Sequence, residues 1–163
     1  MEYFILPISW NKGTLYLLYF SNDDDGLVLT PDQRIIVAAS RAEAEALAKK
    51  RYLKLQDPME TLELGVIQSW VSSRSMRLPE ANLLYRVWNF FGDVATSLKK
   101  ADHYLGYDEQ FISLHDELFW GCNMPGLTQS QELYEIDLSQ SEIRNLRSIL
   151  RSGLEIFQQG LPG

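Results

Sequence analysis

The chain has 163 residues, of which 45% are hydrophobic and 12% aromatic, a globular composition that excludes a disordered chain. Its net charge of −7, from 22 acidic and 15 basic residues, argues against nucleic acid as a direct ligand, because phosphate binding needs clustered cations. The single cysteine, Cys122, excludes an intrachain disulfide and a cysteine-based zinc site.

The N-terminal part is rich in the aromatic and branched residues that favour β-strands. The segments "YFILPIS" (residues 3–9) and "TLYLLYFS" (residues 14–21) are joined by "WNKG", which predicts a hairpin with a short loop. Pro7 has no N–H and therefore favours an edge position or a bulge for the first strand. After the turn "NDDDG", the segments "LVL" and "RIIVAA" predict further strands. We therefore predict a small antiparallel sheet of three or four strands over residues 3–39.

Helices are predicted for the remainder of the chain. Ser40 and Glu43 stand at the spacing of a capping box, so the first helix is expected to begin at Ser40. A second helix is predicted over residues 62–73. The third follows Pro79, because apolar residues then recur at intervals of three and four and share one face. These residues are Leu84, Trp88, Phe91, Ala95 and Leu98.

The fourth helix is predicted over residues 108–120, and it ends in the dense stretch "LFWGCNMPG". We expect Leu118 to Trp120 to anchor this stretch in the core. Gly121 is expected to adopt a left-handed conformation, and Pro125 prevents the helix from continuing. The residues expected on one apolar face are Phe111, Ile112, His115 and Phe119.

The last helix is predicted to begin at Ser139, which has capping-box spacing to Glu142, and to stop at Gly160. Its apolar stripe consists of Ile143, Leu146, Leu150, Leu154 and Phe157. Because strands come first and helices follow, we predict a single α+β domain over residues 1–163, strand-rich over 1–39 and helical over 40–160. The sheet is expected to pack against four or five helices.

A search for catalytic motifs gives no match. The phosphate-binding patterns G-x-x-x-x-G-K-[ST] and G-x-G-x-x-G are absent, as are G-x-S-x-G and H-E-x-x-H. His103 and His115 would lie about 18 Å apart on one helix, too far to share a metal ion, although a break at Gly106 could bring them closer. Cys122 has no base beside it in the sequence. We therefore predict no catalytic residue, no metal and no cofactor.

The charge pattern singles out residues 101–143, which contain nine carboxylates and no Lys or Arg, whereas the rest of the chain is nearly balanced. Such a segment can be a solvated surface, or it can dock a basic protein, because complementary charge speeds association. Tyr104, Tyr107 and Tyr134 are interleaved with the carboxylates, and tyrosine is common at interface hot spots. The residues we predict to bind a partner are Asp102, Asp108, Glu109, Asp116, Glu117, Glu132 and Glu135.

Four segments of the chain resemble one protein family. "LLYRVWNFFGDVATSL", "LFWGCNMPGLT", "ELYEIDLSQSEI" and "ILRSGLEIFQQGL" are similar to bacterial immunity proteins of polymorphic-toxin and contact-dependent growth-inhibition systems. The resemblance covers about half of the chain, residues 83–160. The matching positions are Leu83, Leu84, Trp88, Asn89, Leu118, Phe119, Trp120, Gly121, Asn123, Pro125, Gly153 and Leu154.

The resemblance implies an immunity protein, not an enzyme, that neutralises one cognate toxin domain by stoichiometric binding. Many such toxins are nucleases and therefore basic, which would suit the acidic segment. Family members are typically cytoplasmic. The chain start agrees with this, since Glu2 stands where a signal peptide would be basic, and no apolar run approaches the ~20 residues of a membrane span. The alternatives are a small enzyme built around His103 and His115, and a cytosolic regulatory module that binds another protein.

Overall fold

The computed structural model describes residues 1–125 and 132–163. Its strands are β1 (Glu2–Trp10), β2 (Gly13–Ser21), β3 (Asp25–Leu27) and β4 (Val37–Ala38). Its helices are α1 (Arg41–Lys50), α2 (Leu64–Ser72), α3 (Ala81–Ser97), α4 (Ile112–Gly121) and α5 (Gln140–Gly160). The predicted α+β fold, an N-terminal antiparallel sheet followed by helices, is confirmed. None of the helices in the described ranges is long and apolar enough to cross a membrane.

The sheet is built around the hairpin of β1 and β2, which pair along their full length. Asn11 and Lys12 form the loop with φ values of 46° and 65°, the left-handed conformations that a two-residue turn between twisted strands requires. The other edge of β2 pairs with both β3 and β4. Pro7 lies in the edge strand, as predicted, and its carbonyl accepts a hydrogen bond from Leu62 N at 2.9 Å.

Both faces of the sheet are buried. Side chains alternate along a strand, so Ile5 and Leu18 lie on one face, where they pack against Ala44 and Ala48 of α1. The opposite face contributes to the main core beneath α2, α3 and α5. The sheet residues buried there are Leu6, Ile8, Leu17, Tyr19 and Leu27. The part of the chain that holds the acidic segment therefore lies across the sheet from α1.

The predicted starts of the first and last helices are confirmed. Ser40 Oγ accepts a hydrogen bond from Glu43 N at 3.1 Å. Ser139 Oγ accepts one from Glu142 N at 3.1 Å, and Glu142 Oε1 accepts one from Ser139 N at 3.0 Å, which completes a capping box. These local signals identify helix ends because they satisfy N–H groups that have no partner inside the helix.

The fourth helix begins at Ile112, so the predicted start at residue 108 is wrong. Residues 101–111 form three short 3₁₀ turns, and Asp108 caps the last of them by accepting a hydrogen bond from Gln110 N at 3.1 Å. The predicted apolar face is also wrong at Ile112, which is 57% exposed. Leu114 and Leu118 are buried instead, because those positions face α3.

The exit from α4 corrects two further expectations. Asn123, and not Gly121, takes the left-handed conformation, with a φ of 51°. Gly121 is required for space, because a Cβ there would lie 2.5 Å from Ile136 Cδ1 and 3.0 Å from Ala81 Cβ. Leu118 anchors the helix in the core, but Trp120 does not, since it is 44% exposed. Spacing along the helix does not reveal which side chains a neighbouring segment covers.

Candidate functional site

Asn123 connects the end of α4 to the segment around Tyr134 through hydrogen bonds. Its Nδ2 donates to Tyr134 O at 3.0 Å, and Tyr134 N donates to its Oδ1 at 2.6 Å. Tyr134 Oη in turn donates to Glu117 Oε2 at 2.7 Å, a bond that raises the pKa of the tyrosine. Glu117, one of the predicted partner-binding residues, is therefore already hydrogen-bonded and positions Tyr134 beside α4.

The outward face of α4 combines apolar and acidic side chains. Ile112, Asp116 and Trp120 are spaced by four residues, so they form one stripe along the helix, and all three are exposed. Tyr134, held against Glu117, is also exposed. We call this region the α4 surface and define it by Ile112, Asp116, Trp120, Glu117 and Tyr134. Protein interfaces are enriched in aromatic side chains at their centre and have a polar rim, so an exposed apolar patch bordered by carboxylates is a candidate interface.

The other predicted partner-binding residues are exposed but do not all meet. Glu132 and Glu135 lie in the segment fastened by Asn123. Asp102 lies apart, beside His103, whose Nδ1 is 3.8 Å from its Oδ1. Within residues 1–125 and 132–163, no Lys or Arg lies within 4.0 Å of the carboxylates of Asp108, Glu109 or Asp116. Their negative charge is therefore not neutralised by neighbouring cations.

Asp108 and Glu109 belong to a cleft of about 490 Å³ between α3, the beginning of α4 and the start of β3. The same cleft is lined by two further carboxylates, Asp25 and Asp93, which were not among the residues predicted to bind a partner. The remaining lining residues are Trp88, Asn89, Gly92, Gly106, Tyr107, Ile112 and His115. The acidic segment therefore contributes one wall of a cavity whose other walls come from distant parts of the chain.

Asp93 is the most perturbed carboxyl of the cleft. Burial raises its pKa to about 6, the hydrogen bond that Tyr19 Oη donates to its Oδ2 at 2.8 Å opposes the rise, and the charge of Asp25 adds to it. Burial, followed by the charge of Asp93, also raises the pKa of Tyr19. A signal was available in the sequence, since Asn89 and Asp93 are a polar pair at i and i+4 in a stretch of α3, residues 87–95, that is otherwise apolar.

His115 also lines the cleft. Its Nε2 donates to Asn89 Oδ1 at 2.9 Å, and its ring centroid lies 5.2 Å from those of Tyr85 and Trp88. Burial lowers the pKa of His115, while the charge of Asp116 opposes that change. His103 lies in a different cavity, lined also by Lys100, Ser152 and Glu155. The structure thus places the two histidines in separate cavities.

Two further candidates for chemistry have ordinary structural surroundings. Among the described residues, no group of three or more His, Cys, Asp or Glu side chains is arranged to hold a metal ion. Cys122 is half-buried after α4, where its Sγ donates to Leu118 O at 3.3 Å and burial raises the pKa of the thiol. A raised thiol pKa reduces the fraction of the nucleophilic thiolate.

The Asp93 carboxyl gives a prediction about stability and pH. Its pKa is higher in the folded protein than its ordinary value of 3.8, so the folded state binds more protons between these pKa values and stability falls as pH rises through them. Asp93→Asn keeps an acceptor for Tyr19 and cannot ionise. After allowance for partial exposure, we expect it to raise the free energy of unfolding at pH 7 by about 1–2 kcal/mol, with little change at pH 3.5.

Urea denaturation of both proteins at the two pH values measures this difference. Asp116→Asn, at an exposed carboxylate on α4, is the matched control and should change stability little at either pH. Equal effects of Asp93→Asn at pH 3.5 and pH 7 would contradict the assignment of a partly buried Asp93 that ionises with a raised pKa.

Comparison of the chain with protein-family models, with curated proteins and with solved structures finds no match in any of the three.

Proposed function

We propose that this chain is an immunity protein that binds a cognate bacterial toxin domain and neutralises it by stoichiometric binding in the cytoplasm. The observation that supports the proposal best is the α4 surface, where Trp120 and Ile112 are exposed beside Asp116 and Glu117, two carboxylates with no Lys or Arg within 4.0 Å among the described residues. The sequence resemblance stated above supplies the kind of partner. The acidic charge favours a basic toxin domain, such as a nuclease.

The two properties of the surface have different roles in such binding. The carboxylates would attract a basic partner over distances up to about 10 Å at 0.1 M salt, and this mainly increases the association rate. Trp120 and Tyr134 would supply the short-range contacts, because large amphipathic rings bury much area at a small cost in side-chain entropy. Neutralisation then requires only that the bound protein covers the toxin's active site or its substrate path.

Growth rescue tests the proposal. The protein encoded directly upstream of this chain's gene, where the proposal places the toxin, is expressed in a susceptible host with and without the chain. We expect growth to be restored only by co-expression, and the two proteins to elute together at 1:1 stoichiometry in size-exclusion chromatography. Continued growth arrest, together with separate elution, would reject the proposed function.

Charge reversal on the acidic segment is expected to slow association. The variant Asp116→Lys/Glu135→Lys changes the local charge by four units, and we expect the association rate at low salt to fall by about 10- to 100-fold. The fold should be unaffected because both side chains are exposed. Stopped-flow or surface plasmon resonance measurements with the toxin domain, at 20 mM and 300 mM salt, would record the effect.

The matched control is Glu45→Lys/Asp57→Lys, which makes the same change in net charge at exposed positions on α1 and beside β1. If the control slows association as much as Asp116→Lys/Glu135→Lys does, the effect comes from net charge alone and the acidic segment is not the interface.

A further inference from the structure

The cleft beside α4 is a preformed cavity with one aromatic wall. Tyr107 Oη is hydrogen-bonded to Thr96 Oγ1 at 3.1 Å, which fixes the ring although it is 52% exposed. Gly92 allows this close packing, because a Cβ there would lie 2.7 Å from Tyr107 Oη. On the other side, Trp88 Nε1 donates to Gly106 O at 3.3 Å, which holds the turn that carries Tyr107. Contacts within the chain therefore hold the Tyr107 ring at the cleft.

The charge in the cleft is all of one sign. Asp25 comes from the start of β3, Asp93 from α3, and Asp108 and Glu109 from the last 3₁₀ turn, while no Lys or Arg of residues 1–125 and 132–163 lines the cavity. Hydrogen bonds from Gln110 hold the pKa of Asp108 below its ordinary value, so this carboxylate is ionised near neutral pH. Charge complementarity therefore selects a cationic occupant.

We infer that the cleft binds an arginine side chain of the partner protein. The inference rests on the proposed function and adds the specific group that the acidic segment recognises. The cavity, at about 490 Å³, has room for a whole side chain. A guanidinium group is planar, so it can stack on the exposed ring of Tyr107 while its N–H groups point to the carboxylates of Asp93 and Glu109. A lysine ammonium is not planar, so it cannot stack flat on the Tyr107 ring and also direct N–H groups in the same plane to the carboxylates.

The test uses N-acetyl-arginine methylamide as the probe and N-acetyl-citrulline methylamide, of nearly the same shape but uncharged, as its control. The full chain is labelled with ¹⁵N, and the probe is titrated while the Trp88 indole N–H, the Asn89 side-chain amide and the amides of Gly92 and Gly106 are observed. We expect saturable shifts at these groups, with an association constant at least about 5-fold larger for the arginine probe. Equal binding of both probes, or shifts only outside the cleft, would overturn the inference.

Two variants locate the binding in the cleft. Asp93→Asn/Glu109→Gln removes two of the four carboxylates but keeps the acceptor for Tyr19, and we expect it to weaken arginine binding by about 10-fold. Glu45→Gln removes an exposed carboxylate on α1, on the other side of the sheet from the cleft, and should weaken it by less than about 2-fold. If both variants lose the same affinity, the probe responds to general charge and the cleft is not its site.

The outcomes separate this inference from the proposed function. Growth rescue by the chain together with no arginine-specific shift would reject the cleft as the anchor site and leave the toxin-binding proposal standing. Arginine-specific shifts in the cleft without growth rescue would keep the site and reject the toxin as its partner. Stronger binding of N-acetyl-lysine methylamide than of the arginine probe would overturn the choice of a planar cation.

Discussion

Gly153→Ala is expected to lower the free energy of unfolding by about 3 kcal/mol, because α5 and α3 touch at this glycine. A Cβ at residue 153 would come within 2.7 Å of Phe91 Cβ and closer still to the Phe91 ring. Phe91 is completely buried and cannot swing away, so the two helices would have to separate. The gain of about 1 kcal/mol that alanine normally brings to a helix is too small to offset this. Urea denaturation at pH 7 measures the change.

A matched control is Gly65→Ala, which makes the same substitution inside α2. The nearest atom to the added Cβ would be Ser9 Oγ at 3.2 Å, a hydroxyl that can move by a few tenths of an ångström. We expect a change of less than about 1 kcal/mol there. Adding Phe91→Leu to Gly153→Ala should recover part of the lost stability, since it removes the ring that clashes. A loss below about 1 kcal/mol for Gly153→Ala alone would contradict the packing of α5 on α3.

Trp120→Ala is expected to weaken binding of the toxin domain roughly 100-fold, or by about 3 kcal/mol, if the α4 surface is the interface. Trp120 is 44% exposed, and in the described residues its one ring contact is edge-on to Phe119, with centroids 5.3 Å apart. Removing the side chain should therefore cost the folded protein less than about 1 kcal/mol. Isothermal titration calorimetry with the toxin domain and urea denaturation of the free variant measure the two quantities separately.

Tyr52→Ala is the control for this substitution. Tyr52 is 97% exposed and follows α1, on the other side of the sheet from α3 and α5. It is an exposed aromatic side chain that does not belong to the α4 surface, so its loss should leave toxin affinity within about 2-fold of that of the unmodified chain. Unchanged affinity of Trp120→Ala, or an equal loss with Tyr52→Ala, would place the interface elsewhere.

The charge pattern of the acidic segment identifies acidic positions but not which of their carboxylates are available to a partner. Counting carboxylates selected Asp108, Glu109 and Asp116, which are exposed in the structure, and their role in binding a partner stays a prediction. It could not show that Glu117 accepts a hydrogen bond from Tyr134, or that Asp102 lies beside His103. Hydrogen bonds between residues that are distant in the chain determine which charges remain available, and a one-dimensional pattern does not contain those distances.

At the end of α4, the sequence pattern likewise did not reveal which residues pack against each other. The pattern predicted a helix that ends at residue 120, and α4 ends at Gly121, but the pattern assigned the left-handed conformation to Gly121 instead of Asn123. Glycine is the usual residue for that conformation. Here Gly121 is needed because Ile136 returns to pack against it, while the side chain of Asn123 gains backbone partners, including Tyr134. The segment that makes the difference is more than ten residues further along the chain.

The sequence by itself determined the elements whose signals are local: the hairpin turn at Asn11 and Lys12, the capping boxes or caps at Ser40 and Ser139, and the order of sheet and helices. Each depends on neighbours within about four residues, where backbone geometry fixes the contacts. Only the tertiary structure decided that Asp25, Asp93 and Asp108 share one cleft. Their approach depends on how α3 packs against the sheet and on where the chain turns before α4, and both are set by the burial of apolar faces across the whole fold.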